Sequence, residues 1–160
     1  MSGLSFGIVN EAVSYWLGAL SDPVPMIGPA EAMLAVANGA VIWDVRSGDD
    51  YRRGHADGAL WLGSVDWLLA GDGGGNLIPA PVIEDALARA GIRQGVAVVI
   101  YAEQRAVDAF VALRALRSIG IADARVCLGD APSRPRSVRA GIGAGTGDGP
   151  GRQVDLAQVR

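Results

Sequence analysis

The stretch "AVVIYAEQRAVDAF", residues 97–110, decides the fold. Val98–Tyr101 is a continuous run of β-branched and aromatic side chains, too short for a helix and suited to a strand covered on both faces. A short polar loop follows. Then "AVDAFVALRALRSIG" has helical spacing, with Phe110, Leu113, Leu116 and Ile119 on one face and Gly120 as its stop. Strand, loop, helix is the repeating unit of a parallel sheet, and the carboxyl end of such a strand is where α/β proteins place their chemistry. A nucleophile is expected directly after the tyrosine; the residue there is Ala102.

Working outward, "AVIWDV", 40–45, is a second apolar run, ended by an acid. Pro29 and Gly39 bracket a helix before it. "SGDDYRRGH" reads as a polar helical turn, "GALWLG" as a short strand, and "SVDWLLAG" as one or two helical turns capped by Ser64. "GDGGGNLIPAP" is a loop that matches neither a dinucleotide fingerprint nor a calcium loop. "APVIEDALARAGI" is an amphipathic helix closed by Gly91, and "ARVCLG" is a last strand. This alternation predicts an α/β fold: a mainly parallel sheet of about five strands with helices on both faces.

Three regions follow. Residues 1–21 form a helical extension, in which Ile8, Val13, Trp16 and Leu17 make an apolar stripe. Residues 22–131 form the domain. Residues 132–160 are rich in Gly, Pro, Ser and Arg, with few large apolar side chains, and are expected to be mobile.

Composition removes several function classes. All 14 basic residues are arginine, so a Walker-type phosphate loop, a Schiff base and a lysine general base are excluded. One histidine, His55, cannot build a multi-histidine metal site, and no cofactor or metal is expected. A net charge of −3 gives no reason to expect nucleic acid. "GIVNEAVSYWLGAL" is too short and too polar to span a membrane, and the first basic residue is Arg46, so a secretory signal is not expected and a cytoplasmic protein is the default.

The order Asp44-Val45-Arg46, then Asp50-Tyr51, then Gly54-His55 and Gly58-Ala59 resembles the rhodanese pattern. "LIPAPVIEDALARAGIRQGVAVVIYAE" and "LRALRSIGIADARVCLGD" continue it, so the resemblance covers about residues 22–131 and is greatest to a domain of the tandem thiosulfate or mercaptopyruvate sulfurtransferases. In that family a cysteine follows the strand-end tyrosine and carries sulfur as a persulfide. Backbone N–H groups and a helix N-terminus favour its thiolate. Here Ala102 stands at that position and Glu103 brings a negative charge. The resemblance therefore implies a catalytically silent domain, which binds, regulates or supports, with a second rhodanese domain or another copy as partner. The alternative is a sulfurtransferase whose nucleophile is mutated or comes from another residue or chain.

The expected anion cradle is the loop Ala102, Glu103, Gln104, Arg105, Ala106 and Val107, in which Arg105 is a candidate for a small anion and Asp108 a candidate helix cap. A thiol placed at 102 is then expected to meet the positive end of the helix and to be reactive. Asp44, Arg46, Asp50, His55 and Gly58 are expected to be structural. Cys127, the only thiol, lies between apolar neighbours and is expected to be buried and inert.

Overall fold

The computed structural model describes residues 23–130 and the pair 152–153. The N-terminal helix expected over 7–20 lies outside the described residues, as does the tail 132–160 apart from that pair. In chain order the elements are β1 (Met26–Ile27), α1 (Pro29–Ala37), β2 (Val41–Asp44), α2 (Gly48–Arg53), β3 (Leu60–Trp61), a 3₁₀ turn (Val65–Leu68), α3 (Ala80–Arg89), β4 (Val98–Glu103), α4 (Ala106–Ser118), β5 (Ala124–Leu128) and β6 (Arg152–Gln153). The strands form one sheet in the order β1-β5-β4-β2-β3-β6, with every pair parallel. Five of its strands lie within residues 26–128. The two-residue strands β1 and β6 form its edges and were not legible as strands.

Strand alternation sorts the core into two layers. Trp43, Ile100, Ala102 and Val126 pack with Leu87 of α3 and Leu113 and Leu116 of α4. Ile42, Val99, Tyr101 and Cys127 pack on the other face with Ala32 of α1 and Tyr51 of α2. Helices therefore cover both faces, as a parallel sheet requires. Each fully buried Leu or Ile contributes roughly 1.5–3 kcal/mol relative to exposure.

Local signals set the helix ends. Pro29 occupies the first turn of α1, and the hydroxyls of Ser47 and Ser64 accept from the backbone N–H of Asp50 and Asp66. Both α1 and α3 close with a Schellman pair: Gly39 and Ala40 donate to Val36 and Ala35, and Gly91 and Ile92 donate to Ala88 and Leu87. Gly39 and Gly91 take φ of 97° and 91°, which glycine adopts without the Cβ clash. One expectation is enlarged: α4 is buried on more than one stripe, since Ala109 through Leu113 are all buried. It is the central covering helix of its face rather than a surface amphipath.

Leu113→Ala should lower the unfolding free energy by about 2–5 kcal/mol in a denaturant titration. Leu34→Ala on α1, at a side chain in a residue 64% exposed, should change it by no more than about 0.5 kcal/mol. Similar losses at the two positions would contradict the layer assignment.

Candidate functional site

The carboxyl end of β4 carries the candidate site. Tyr101 pairs with Cys127 of β5, but the next pair is Glu103 with Leu128, so Ala102 is a bulged residue. Ala102 is fully buried, and its side chain belongs to the α3–α4 layer. Glu103 takes φ of 55°, the only left-handed non-glycine among the described residues. Such a residue costs of order 1–3 kcal/mol and persists where surrounding contacts hold it. Here the Glu103 carbonyl accepts from the Gly129 N–H at 3.0 Å, and the Arg105 N–H closes a turn onto the Ala102 carbonyl at 2.9 Å.

This geometry corrects the expected loop. Ala102 and Glu103 belong to β4, Ala106 and Val107 to the first turn of α4, and only Gln104 and Arg105 connect them. A thiol at position 102 would enter the apolar layer rather than face the helix N-terminus, so its expected reactivity loses its basis. Asp108 does not cap α4 either: the cap position is Arg105, with no side-chain cap bond. Arg105 instead pairs with Asp108 at 3.3 Å, and burial holds the Asp108 carboxyl above its ordinary pKa despite that pairing.

On the other face of the same edge lies an extended charge cluster. Asp44 ends β2 and is completely buried; Arg46 is 7% exposed. Arg46 grips Asp44 through Nε at 3.0 Å and Nη2 at 2.8 Å, and its backbone N–H adds a third bond at 3.0 Å. Nη2 also donates to the Gly54 carbonyl at 2.7 Å. The guanidinium lies 4.8 Å from the Tyr101 ring centroid, and Nη1 sits 3.7 Å from the Glu103 carboxylate. The indole N–H of Trp61 donates to the Arg46 carbonyl at 3.0 Å. Burial lowers the Arg46 pKa, but the bond to and charge of Asp44 more than offset it, and the guanidinium ends above its ordinary value.

The remaining candidates are placed nearby. His55 stacks on Tyr51 with ring centroids 4.0 Å apart, and its Nδ1 lies 2.9 Å from the Tyr51 carbonyl, so that nitrogen must carry the proton. Among the described residues its buried Nε2 has no hydrogen-bond partner, and no hydroxyl or thiol is placed for it to activate. Tyr51 donates from its hydroxyl to the Ala59 carbonyl at 2.9 Å. Gly58 lies in the turn closed by Ala59 N–H to the Ala56 carbonyl. Asp50 accepts from the Ser47 hydroxyl, which holds its carboxyl below the ordinary range. Cys127 is wholly buried, and burial pushes its thiol pKa up. Among the described residues no three His, Cys, Asp or Glu side chains cluster as a metal site, and no helix is long and apolar enough to cross a membrane.

In the sequence Glu103 reads as part of the loop, whereas the structure puts it in β4 beside Arg46. Period-two alternation from Tyr101 would put residue 103 on the face of Arg46, but only once β4 is known to continue through the bulge at Ala102, which the polar run does not signal. Trp61 as a donor to Arg46 had no sequence signal. No family model, curated protein or solved structure matches this chain.

Breaking the buried pair by Asp44→Asn should destabilise the fold by about 3–5 kcal/mol, because a nearly buried guanidinium loses its counterion. The double variant Asp44→Asn/Arg46→Gln should lose clearly less than the two single losses added, as measured in a denaturant double-mutant cycle. Strict additivity would show that the pair is not coupled.

Burial raises the Tyr101 phenol to about 12, against an opposing effect of Arg46. Between pH 10 and 12 the unfolded tyrosine loses a proton that the folded one keeps. Stability therefore falls as pH rises through that window, by up to roughly 2.7 kcal/mol from this residue. Tyr101→Phe should flatten the alkaline limb of the stability profile; an unchanged limb would refute the assignment.

Proposed function

We propose that this chain is a rhodanese-like domain without sulfurtransferase chemistry of its own, serving as a binding or support module for a second rhodanese domain or another copy of itself. One observation carries the reading: the position after Tyr101 is Ala102, wholly buried in the core, and the residue beyond it is a carboxylate turned toward Arg46. The ordered motif pieces from Asp44 to Ala59, the tyrosine near the carboxyl end of a central parallel strand and the helix following it support the family reading. A small anion arriving at this edge would meet a guanidinium already neutralised by Asp44 and approached by Glu103.

The rival role, a sulfurtransferase working through Cys127, is opposed by burial. A thiol with no exposed surface and a raised pKa is a poor nucleophile. Mass spectrometry after incubation with thiosulfate tests the proposal. The folded protein should gain no sulfur atom, and Cys127 should react with iodoacetamide far more slowly than in denaturant. Persulfide formation on the folded chain would overturn the silent-domain reading. Light scattering then separates the partners: a dimer assigns the role to a second copy, a monomer to a distinct rhodanese domain.

A further inference from the structure

The amino edge of the sheet, opposite Glu103, carries a cavity of about 350 Å³. That is within the range of small-ligand sites, roughly 300–1,000 Å³. Val36 of α1, Ile42 of β2 and Leu60 of β3 form apolar walls, and among the described residues Asp57 is the only ionisable one that lines it. Among the described residues no hydrogen bond or ion pair engages the Asp57 carboxylate, and the residue is exposed. Two helix C-termini also reach the cavity, through Val36 in the last turn of α1 and through Ala90 and Gly91 at the end of α3. A helix C-terminus carries a partial negative charge, which a nearby basic side chain offsets. The last turn of α1 has no basic residue. The one basic residue in the last turn of α3, Arg89, is held by Asp85 at 2.6 Å. Among the described residues, Asp57 thus supplies a full negative charge beside an apolar cavity, the two helix ends, whose last carbonyls are closed by Schellman bonds, add a weaker field of the same sign, and no positive group lines it.

We propose that this cavity binds a small organic cation, a primary ammonium on a short apolar body. The ammonium faces Asp57 and the helix ends, and the apolar body lies on Val36, Ile42 and Leu60. The parallel architecture makes the polarity of the site possible, because helices that cover a parallel sheet bring their C-termini to its amino edge. The inference is independent of the sulfur-transfer reading, which concerns the other end of the strands.

The test is a titration of the ¹⁵N-labelled full chain with n-butylammonium chloride, with n-butanol at matched ionic strength as the neutral control. Saturable shifts should centre on the amides of Ala40, Gly58 and Gly91, and n-butanol should bind at least about tenfold more weakly. Asp57→Asn should reduce butylammonium to the level of butanol. Its turn is closed by a backbone bond from Ala59 N–H to the Ala56 carbonyl, so the rest of the spectrum should be preserved. Glu84→Gln, an exposed acid on α3 away from the cavity, should leave binding unchanged. An absence of saturable shifts, an equal response to butanol, or full binding by Asp57→Asn would overturn the proposal.

Discussion

The carboxyl edge of this domain depends on one buried ion pair. A carboxylate with no exposed surface, Asp44, ends the central strand β2. Left alone it would be far too costly to keep charged in the interior. Arg46, two residues on, answers it with a two-pronged grip and a backbone N–H. Having been drawn in, the arginine must satisfy its own remaining donors. It does so at the Gly54 carbonyl and over the Tyr101 ring, while its carbonyl takes the indole N–H of Trp61. One desolvated pair thereby joins the ends of β2, β3 and β4 and the end of α2. A buried pair of this kind contributes little net stability compared with apolar packing, and its consequence is geometric: the fold must meet at this point in this arrangement to avoid an unpaired charge.

That pair also sets the electrostatics of the two sheet edges. Helix N-termini gather at the carboxyl edge and would favour an anion. Asp44 and Glu103 both sit at this edge against one guanidinium, so the local side-chain balance is one negative charge in excess. The edge that the architecture makes attractive to anions is filled by the protein's own carboxylates. At the amino edge the helix ends and Asp57 act in the same direction, and among the described residues no arginine lines the cavity there.

How much of this was legible in the sequence follows from what each signal depends on. The long runs 98–101 and 41–44 and the helices after them were legible because burial on two faces demands uninterrupted apolar residues. Helix ends were legible where a single residue type sets the backbone, as at Pro29, Gly39, Ser64 and Gly91. The edge strands were not, because two-residue strands such as β1 carry no period and owe their existence to the neighbour they pair with. At the site, the identity of Ala102 was visible and its orientation was not. The polar run after Tyr101 looks like a loop, yet β4 continues through Ala102 and Glu103 by a bulge, which depends on the pairing with β5. The partnership of Asp44 and Arg46 was suggested by their spacing, whereas the approach of Glu103 needed both the alternation of β4 and the left-handed turn at its end.

On the proposed rhodanese-like reading, the alanine at position 102 and the short connection after it belong together. A cradle for an anionic sulfur needs several successive N–H groups turned toward one point. Between β4 and α4 only Gln104 and Arg105 are free of regular structure, and the Arg105 N–H is already spent on the Ala102 carbonyl. With so little chain, position 102 is drawn into the strand and its Cβ into the core. The alanine is then what packing asks for at that point: a small side chain among Val98, Ile100 and Ala109 in a layer without room for a solvated charge. On the rhodanese-like reading proposed above, the length and path of the backbone stand against a sulfur cradle as much as the side chain does, and a single substitution at Ala102 supplies an atom without supplying its site.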